Sequence, residues 1–325
     1  MNVSKTIVGR QRDRYAAFPT FTYDDHNIYL FYRQGTRGEP ATHGRKGRVI
    51  RCVLDRKVFL DAFRDDTDLS LLGEEQVLFA QDNEMDAIVS KLEQGTWALA
   101  TRTFSPPHNR MTTYFSLASE PSFCERHPVH VPGVKWFVFY GKGFSWQGEW
   151  AFPAYGGLDE DSLYRPLLLA TPDGKTWRLL SCLPSPIDGV GLNESSLARL
   201  NDTWHIFMRC DHKEFGIWHA TSSDLLSWSC PSRLFTAAQA PMALAAGGRI
   251  LLSYRRLINE SLAATSLRDP FDGKSIDLET YDGNIYDGGY SDPGYLDGNL
   301  VIFYYQGNQA GEPFIRCCMC TQPIG

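Results

Sequence analysis

A three-part phrase recurs six times along the chain, and this repeat limits the fold more than any single motif. Each unit reads as an apolar strand ending in a turn, a strand rich in aromatic and β-branched residues, and a third strand running into polar residues. The middle strands are residues 27–33, 95–100, 134–139, 202–207, 248–253 and 298–303. The third strands are 47–54, 111–118, 163–170, 215–221, 261–266 and 313–320. Units of roughly 50 residues that fill a chain mark a radial architecture, so the repeat predicts an all-β, six-bladed β-propeller. No unit can bury both of its faces alone, so residues 1–325 are expected to form one domain. Helical periodicity is confined to the charged, leucine-bearing segment 57–76, expected as an insertion between the first two units. The strand-like segment Val3 to Val8 precedes the first full unit and is expected to pair with the last, closing the ring.

Composition narrows the partners. The chain is 43% hydrophobic and 22% charged with a formal net charge of −6, which argues against nucleic acid, because phosphate neutralisation needs a concentrated basic surface. The local cluster Arg37, Arg45, Lys46, Arg48 and Arg51 lies in a glycine-bearing segment and reads as a solvated loop. No apolar run approaches the roughly 20 residues that span a bilayer, and Met-Asn-Val-Ser-Lys lacks the apolar core of a secretory signal. A cytoplasmic protein with no membrane partner is the expectation. Of the eight cysteines, Cys317, Cys318 and Cys320 crowd one strand, where alternate residues face opposite ways; free thiols are expected. Cys-Cys-Met-Cys has no matching second half, so neither a metal nor another cofactor is expected.

Two segments share the form Ser/Thr-x-Asp-x-x-x-Trp directly after a third strand: Thr171-Pro172-Asp173-Gly174-Lys175-Thr176-Trp177 and Ser222-Ser223-Asp224-Leu225-Leu226-Ser227-Trp228. In such a turn the Asp accepts backbone N–H groups and the Trp packs beneath the loop. Here the chain resembles the sialidase superfamily of six-bladed propellers, whose Asp boxes repeat at such hairpins. Both copies are one residue shorter than the usual box. The shorter form is similar to turns of five-bladed arabinanase and invertase-like glycosidases, which makes a five-bladed arabinanase-like propeller the alternative.

The resemblance extends to four positions. Asn193-Glu194-Ser195 opens the fourth unit, and Arg209 ends its next strand. Tyr254-Arg255-Arg256 ends the middle strand of the fifth unit, and Asp287-Gly288-Gly289-Tyr290-Ser291 opens the sixth. The resemblance implies Tyr290 as nucleophile, Glu194 as its base, and Arg209 with Arg255 as a carboxylate clamp, with Arg256 replacing Arg255 if the register slips by one. A phenol, with an ordinary pKa near 10, attacks at neutral pH only when a base takes its proton. A neutral attacker suits an anomeric carbon that already bears a carboxylate, and arginines hold that carboxylate by paired hydrogen bonds. Taken singly, Glu194 reads equally as a turn residue, the arginines as structural ion-pair partners and Tyr290 as a core aromatic. Their common position, at strand ends converging on one face, favours function, and Arg33 and Arg102 end the first two middle strands in the same way.

The chain departs from the family pattern twice. Where an Arg-Ile-Pro turn would supply a first arginine, it reads Ala16-Ala17-Phe18-Pro19, leaving Arg14 or Arg33 to complete the clamp. The loop 35–44, which would carry an acid/base aspartate, has none; Glu39 and His43 are the competent proton donors in it. Carboxylates at Glu84 and Asp86 open the second unit, and Asp86 or Glu84 paired with Glu194 makes a two-carboxylate site for a neutral sugar. Asp292, before Pro293, reads as a turn residue. The segment 144–155, with Trp146, Trp150, Phe152 and Tyr155, reads as an aromatic loop on which a sugar ring can stack. The expected function is an exo-acting, sialidase-like glycosidase. A neutral-sugar glycosidase of the arabinanase type and a non-catalytic glycan-binding propeller are the alternatives.

Overall fold

The computed structural model describes residues 3–9, 15–36, 45–64, 73–81, 83–105, 110–159, 163–212, 215–308 and 311–320. These form six antiparallel sheets arranged as the blades of a propeller, each built outwards from its innermost strand. The outermost strand of the last blade is β1 (Val3–Gly9). Blade one is β2 (Tyr15–Tyr23), β3 (Asn27–Thr36), β4 (Arg45–Asp55) and β5 (Glu74–Phe79), with helix α1 (Arg56–Arg64) between β4 and β5. Blade two is β6 (Asn83–Lys91), β7 (Trp97–Ser105), β8 (Arg110–Ala118) and β9 (His127–Pro128). Blade three is β10 (Val134–Phe139), β12 (Glu149–Leu158), β13 (Tyr164–Thr171) and β14 (Arg178–Cys182), with the short β11 (Phe144–Trp146) paired to β12. Blade four is β15 (Leu192–Leu200), β16 (Thr203–Cys210), β17 (Gly216–Ser222) and β18 (Ser232–Thr236). Blade five is β19 (Ala238–Ala246), β20 (Arg249–Leu257), β21 (Leu262–Arg268) and β22 (Ser275–Asp282). Blade six is β23 (Gly288–Leu296), β24 (Asn299–Asn308) and β25 (Gly311–Cys320), completed by β1.

Closure uses β1, which pairs antiparallel with β25 from Val3 opposite Cys320 to Gly9 opposite Ile315. Joining the first and last segments of the chain in one sheet removes the edge a linear array of blades would expose. In blade three the expected second strand, 134–139, is the innermost strand, and the second strand is β12, which takes up much of the segment read as an aromatic loop.

The two Thr/Ser-x-Asp turns each close a hairpin between the third and fourth strands. Asp173 Oδ1 accepts the amides of Lys175 (2.8 Å) and Thr176 (2.7 Å), and Asp224 Oδ1 accepts those of Leu226 (2.9 Å) and Ser227 (2.8 Å). Trp177 is buried edge-on against Phe115, 4.8 Å between ring centres, in the core shared by blades two and three. Truncating it leaves a large void, so Trp177→Ala is expected to cost about 3–5 kcal/mol in urea unfolding, with m unchanged.

Each innermost strand breaks its pairing register near its start. The positions the register skips are Phe18 and Pro19, Met85, Lys135, Glu194, Ala240 and Pro241, and Gly289 and Tyr290. Such bulges re-aim side chains out of the plane of a sheet, here at the propeller's centre.

Blade four carries a histidine pair, His205 Nδ1 lying 3.0 Å from His219 Nε2, with Phe271 of blade five against both rings. Burial, reinforced by His205, pulls His219 down to about 4. Between that value and the ordinary 6.5 the unfolded chain binds more protons than the folded one, so stability rises with pH across that window and is lost as pH falls through it. Because His219 is partly exposed, the loss from about pH 7.5 to about pH 4.5 is expected to be roughly 1–2 kcal/mol by urea unfolding. His219→Gln is expected to flatten that dependence.

Candidate functional site

A cavity of about 270 Å³ opens where the innermost strands converge, lined by Phe18, Pro19, Met85, Glu194 and Tyr290 from the bulges. Asp86, Arg102, Tyr140, Tyr155, Met242 and Ser291 complete much of its wall. At Tyr290 the bulge requires Gly289, whose φ is +83° and where an added Cβ would lie 2.7 Å from Arg255 Cβ.

Three side chains meet at one wall. The Tyr290 hydroxyl donates a short hydrogen bond to Glu194 Oε1. Arg209 Nη1 donates to Glu194 Oε2 (2.8 Å) and to the Tyr290 oxygen (3.0 Å). Arg209 Nε is anchored on Asp211 Oδ1 at 2.6 Å, and Asp211 in turn accepts Asn193 Nδ2 (2.9 Å) and Gln239 Nε2 (3.2 Å). The network reaches blade five, where Arg255 Nη1 donates to Gln239 Oε1 at 3.0 Å. The Arg255 guanidinium carbon also lies 4.9 Å from the Tyr290 ring centre. Phe18 (5.1 Å, edge-on), Tyr305 (6.1 Å, stacked) and Tyr140 (6.3 Å, edge-on) fix the ring itself.

Burial, and then the Glu194 carboxylate, hold the Tyr290 hydroxyl well above the usual phenol value, against the opposing pull of Arg209 and Arg255. The resting group is therefore a neutral phenol already donating to a base. Burial lowers Arg209, but Glu194, Tyr290 and Asp211 outweigh it and hold the guanidinium well above its ordinary value. Tyr155 on the cavity wall is pushed up to about 12 by burial, Arg102 partly opposing.

The structure brings Tyr290, Glu194 and Arg209 together and places Asp86 in the same cavity, its Oδ2 accepting Arg102 Nη2 at 2.5 Å. The other expected residues fall elsewhere. Arg33 and Arg255 are fully enclosed: Arg33 Nε donates to the Glu84 carbonyl (2.7 Å) and Arg255 Nε to the Gly288 carbonyl (2.8 Å). Each of those residues sits immediately before a bulge, where a displaced carbonyl needs a new donor. Arg256, on the opposite face of β20, forms a bidentate pair with Asp277 away from the cavity. The Glu84 carboxylate is 0% exposed and engaged by Arg126 Nη1 and Nη2, both at 2.7 Å. Trp146 and Trp150 flank the turn of the β11–β12 hairpin and pack into the blade clusters, whereas Tyr155, near the end of β12, reaches the cavity. Glu39 and His43 lie outside the described residues.

Phe18, Met85, Tyr140, Met242 and Asp211 are site residues missed in the sequence. The signal for the bulges was present as Phe18-Pro19, Ala240-Pro241 and Gly288-Gly289, punctuation inside strands that otherwise forbid proline. Among the described residues, no group of three or more His, Cys, Asp or Glu side chains is arranged to hold a metal ion.

No protein-family model matches the sequence, and no curated protein matches it. Solved structures do. A Dyadobacter fermentans protein of unknown function superposes with TM-score 0.77 at 17% identity, over 98% of both chains. Trypanosoma rangeli sialidase in complex with sialic acid gives TM-score 0.62 at 13% identity, over 97% of this chain and 56% of that one, so this chain spans just over half of the sialidase. Penicillium chrysogenum alpha-L-arabinanase complexed with arabinobiose gives 0.65 at 12%, over 98% and 97%. With six blades rather than five, the chain has the fold of the sialidase-like six-bladed propellers.

Proposed function

We propose that the central cavity hydrolyses a glycosidic bond, with Tyr290 as nucleophile and Glu194 as its base. The observation that carries this reading is the hydrogen bond from the Tyr290 hydroxyl to Glu194, with Arg209 bridging both. In the first step the phenol oxygen bonds to the anomeric carbon as its proton passes to Glu194, the bond to the glycosidic oxygen breaks, and the departing oxyanion takes its proton from solvent water. In the second step a water bonds to the anomeric carbon and gives up its proton to solvent while the bond to the Tyr290 oxygen breaks, and the protonated Glu194 returns its proton to that phenol oxygen. The Arg209 N–H at 3.0 Å stabilises the negative charge developing on the departing phenol oxygen.

The same pair sets the substrate class. A neutral attacker favours an anomeric carbon bearing a carboxylate, and Arg102 on the cavity wall, with Arg209 beside Glu194 and Tyr290, would receive that carboxylate. Among the described residues a three-arginine clamp has no counterpart, since Arg33 and Arg255 are committed to backbone carbonyls; Arg14 lies outside those residues. The second reading rests on Asp86, which shares the cavity with Glu194 and gives two carboxylates for a neutral sugar.

An aryl sialoside and an aryl arabinofuranoside separate the two. Release from the sialoside, retained within about tenfold by Asp86→Asn because an aryl leaving group needs little protonation, supports the tyrosine mechanism. Cleavage of the arabinofuranoside that survives Tyr290→Phe and is abolished by Asp86→Asn moves the assignment to the two-carboxylate reading. Silence on both, with sugar binding intact, leaves a glycan-binding propeller.

A further inference from the structure

Directly beneath the aromatic cage of Tyr290, one ammonium joins four blades. Lys142 Nζ, from the turn after β10, donates to Thr20 Oγ1 (3.1 Å) and the Phe21 carbonyl (2.8 Å) of blade one, and to the Val89 carbonyl (3.0 Å) of blade two. It also pairs with Asp292 Oδ2 of blade six at 2.5 Å. Asp292 is 1% exposed and accepts Thr20 Oγ1 (3.0 Å) and the Phe21 amide (2.7 Å) on that same oxygen. Its Oδ1 is buried without a protein partner. Two carbonyls, a hydroxyl and a carboxylate around one point are the donor set of a bound cation, supplied here by a side chain.

The spacing along the strands links this point to the site above. Thr20 follows Phe18 by two residues, Lys142 follows Tyr140 by two, and Asp292 follows Tyr290 by two. The earlier member of each pair is Tyr290 or a ring packed against it. The residues around the ammonium are thus joined to Tyr290 and two rings packed against it by short runs of chain, two of them within β2 and β23 and one in the turn after β10.

We propose that the axial site below the cavity is a cation site which this chain fills with the tethered ammonium of Lys142, and that Lys142 is thereby a positioning residue for Tyr290. The importance of Tyr290 rests on the proposed function; the cation site does not.

The test is chemical rescue of Lys142→Ala, read by melting temperature and by the NMR signal of tyrosine ζ-carbons, with Tyr290 assigned from Tyr290→Phe. The substitution is expected to lower Tm by roughly 5 °C by stranding Asp292. n-Butylammonium should raise Tm of the variant saturably and return the Tyr290 resonance towards its wild-type position with the same half-saturation. Tetramethylammonium, too bulky for the site, should do neither, and wild type should respond to neither ion. Rescue should vanish in Lys142→Ala/Asp292→Asn. If Lys142→Ala does not fold unaided, folded yield on dilution from urea with n-butylammonium against tetramethylammonium reads the same site. No saturable rescue overturns the cation site. Rescue of Tm with an unmoved Tyr290 signal overturns the positioning role. Loss of all glycosidase activity in wild type, with rescue intact, would strike only at the proposed function.

Discussion

Glu194→Gln is expected to lower kcat/KM on a susceptible aryl glycoside by about 100- to 10,000-fold, the usual worth of a positioned general base. Tyr290→Phe is expected to do at least as much. The double variant should be little worse than either alone, because a nucleophile and its base act as a unit and their losses do not add. Structure should be spared in Tyr290→Phe. Phenylalanine keeps the ring contacts with Phe18, Tyr140 and Tyr305, and Glu194 keeps Arg209 at 2.8 Å. A loss of activity in Tyr290→Phe with an unchanged melting temperature therefore reads the chemistry rather than the fold. Strictly additive losses would mean that the two side chains act independently, contrary to their hydrogen bond.

The second large effect concerns stability. Arg126 lies between Phe79 and Tyr114, its guanidinium carbon 4.4 and 4.2 Å from their ring centres, and grips the enclosed Glu84 carboxylate with both terminal nitrogens. Arg126→Met leaves that carboxylate buried without its cation and is expected to cost about 3–5 kcal/mol by urea unfolding. Removing both charges is a different matter. Glu84→Gln/Arg126→Met should recover most of the loss, since a buried pair replaced by neutral groups is often close to neutral in stability. A double variant as unstable as the single one would show that the contacts of Arg126 with the two rings, rather than the charge pair, carry the stabilisation.

Blade number and ring closure were legible in the chain because second and third strands are buried and dense in aromatic and β-branched residues. The fourth strands were not. β5 runs largely exposed and β9 is two residues long, so neither presents an alternating apolar face. Blade three was mis-registered by one strand because β12 carries Pro153 and a run of aromatics, a pattern that suits a packed loop equally well.

The site was legible in part for a related reason. The resemblance to the sialidase pattern singled out Glu194, Arg209 and Tyr290 as a group, and their common position at strand ends, which is written in the repeat, supported it. The direction of a side chain at that position is decided by the bulge, which period-two reasoning does not anticipate. Arg33 and Arg255 occupy the expected ends, yet the carbonyls of Glu84 and Gly288 draw them inward, away from any substrate. Arg256, one residue on, faces the other side of its blade and meets Asp277. Lys142 gave no signal, and Asp292, read as a turn residue before Pro293, lies instead within β23, buried against Lys142, because the partners of both come from other blades.

The tyrosine mechanism is tested most directly by trapping its covalent intermediate. The protein is incubated with 2,3-difluorosialic acid and, separately, with a 2-fluoro arabinofuranosyl fluoride, and the peptides are then mapped by mass spectrometry. A glycosyl adduct on the peptide that contains Tyr290, absent from Tyr290→Phe, is the predicted result. An adduct on Glu194 or Asp86 instead would contradict it and make a carboxylate the nucleophile.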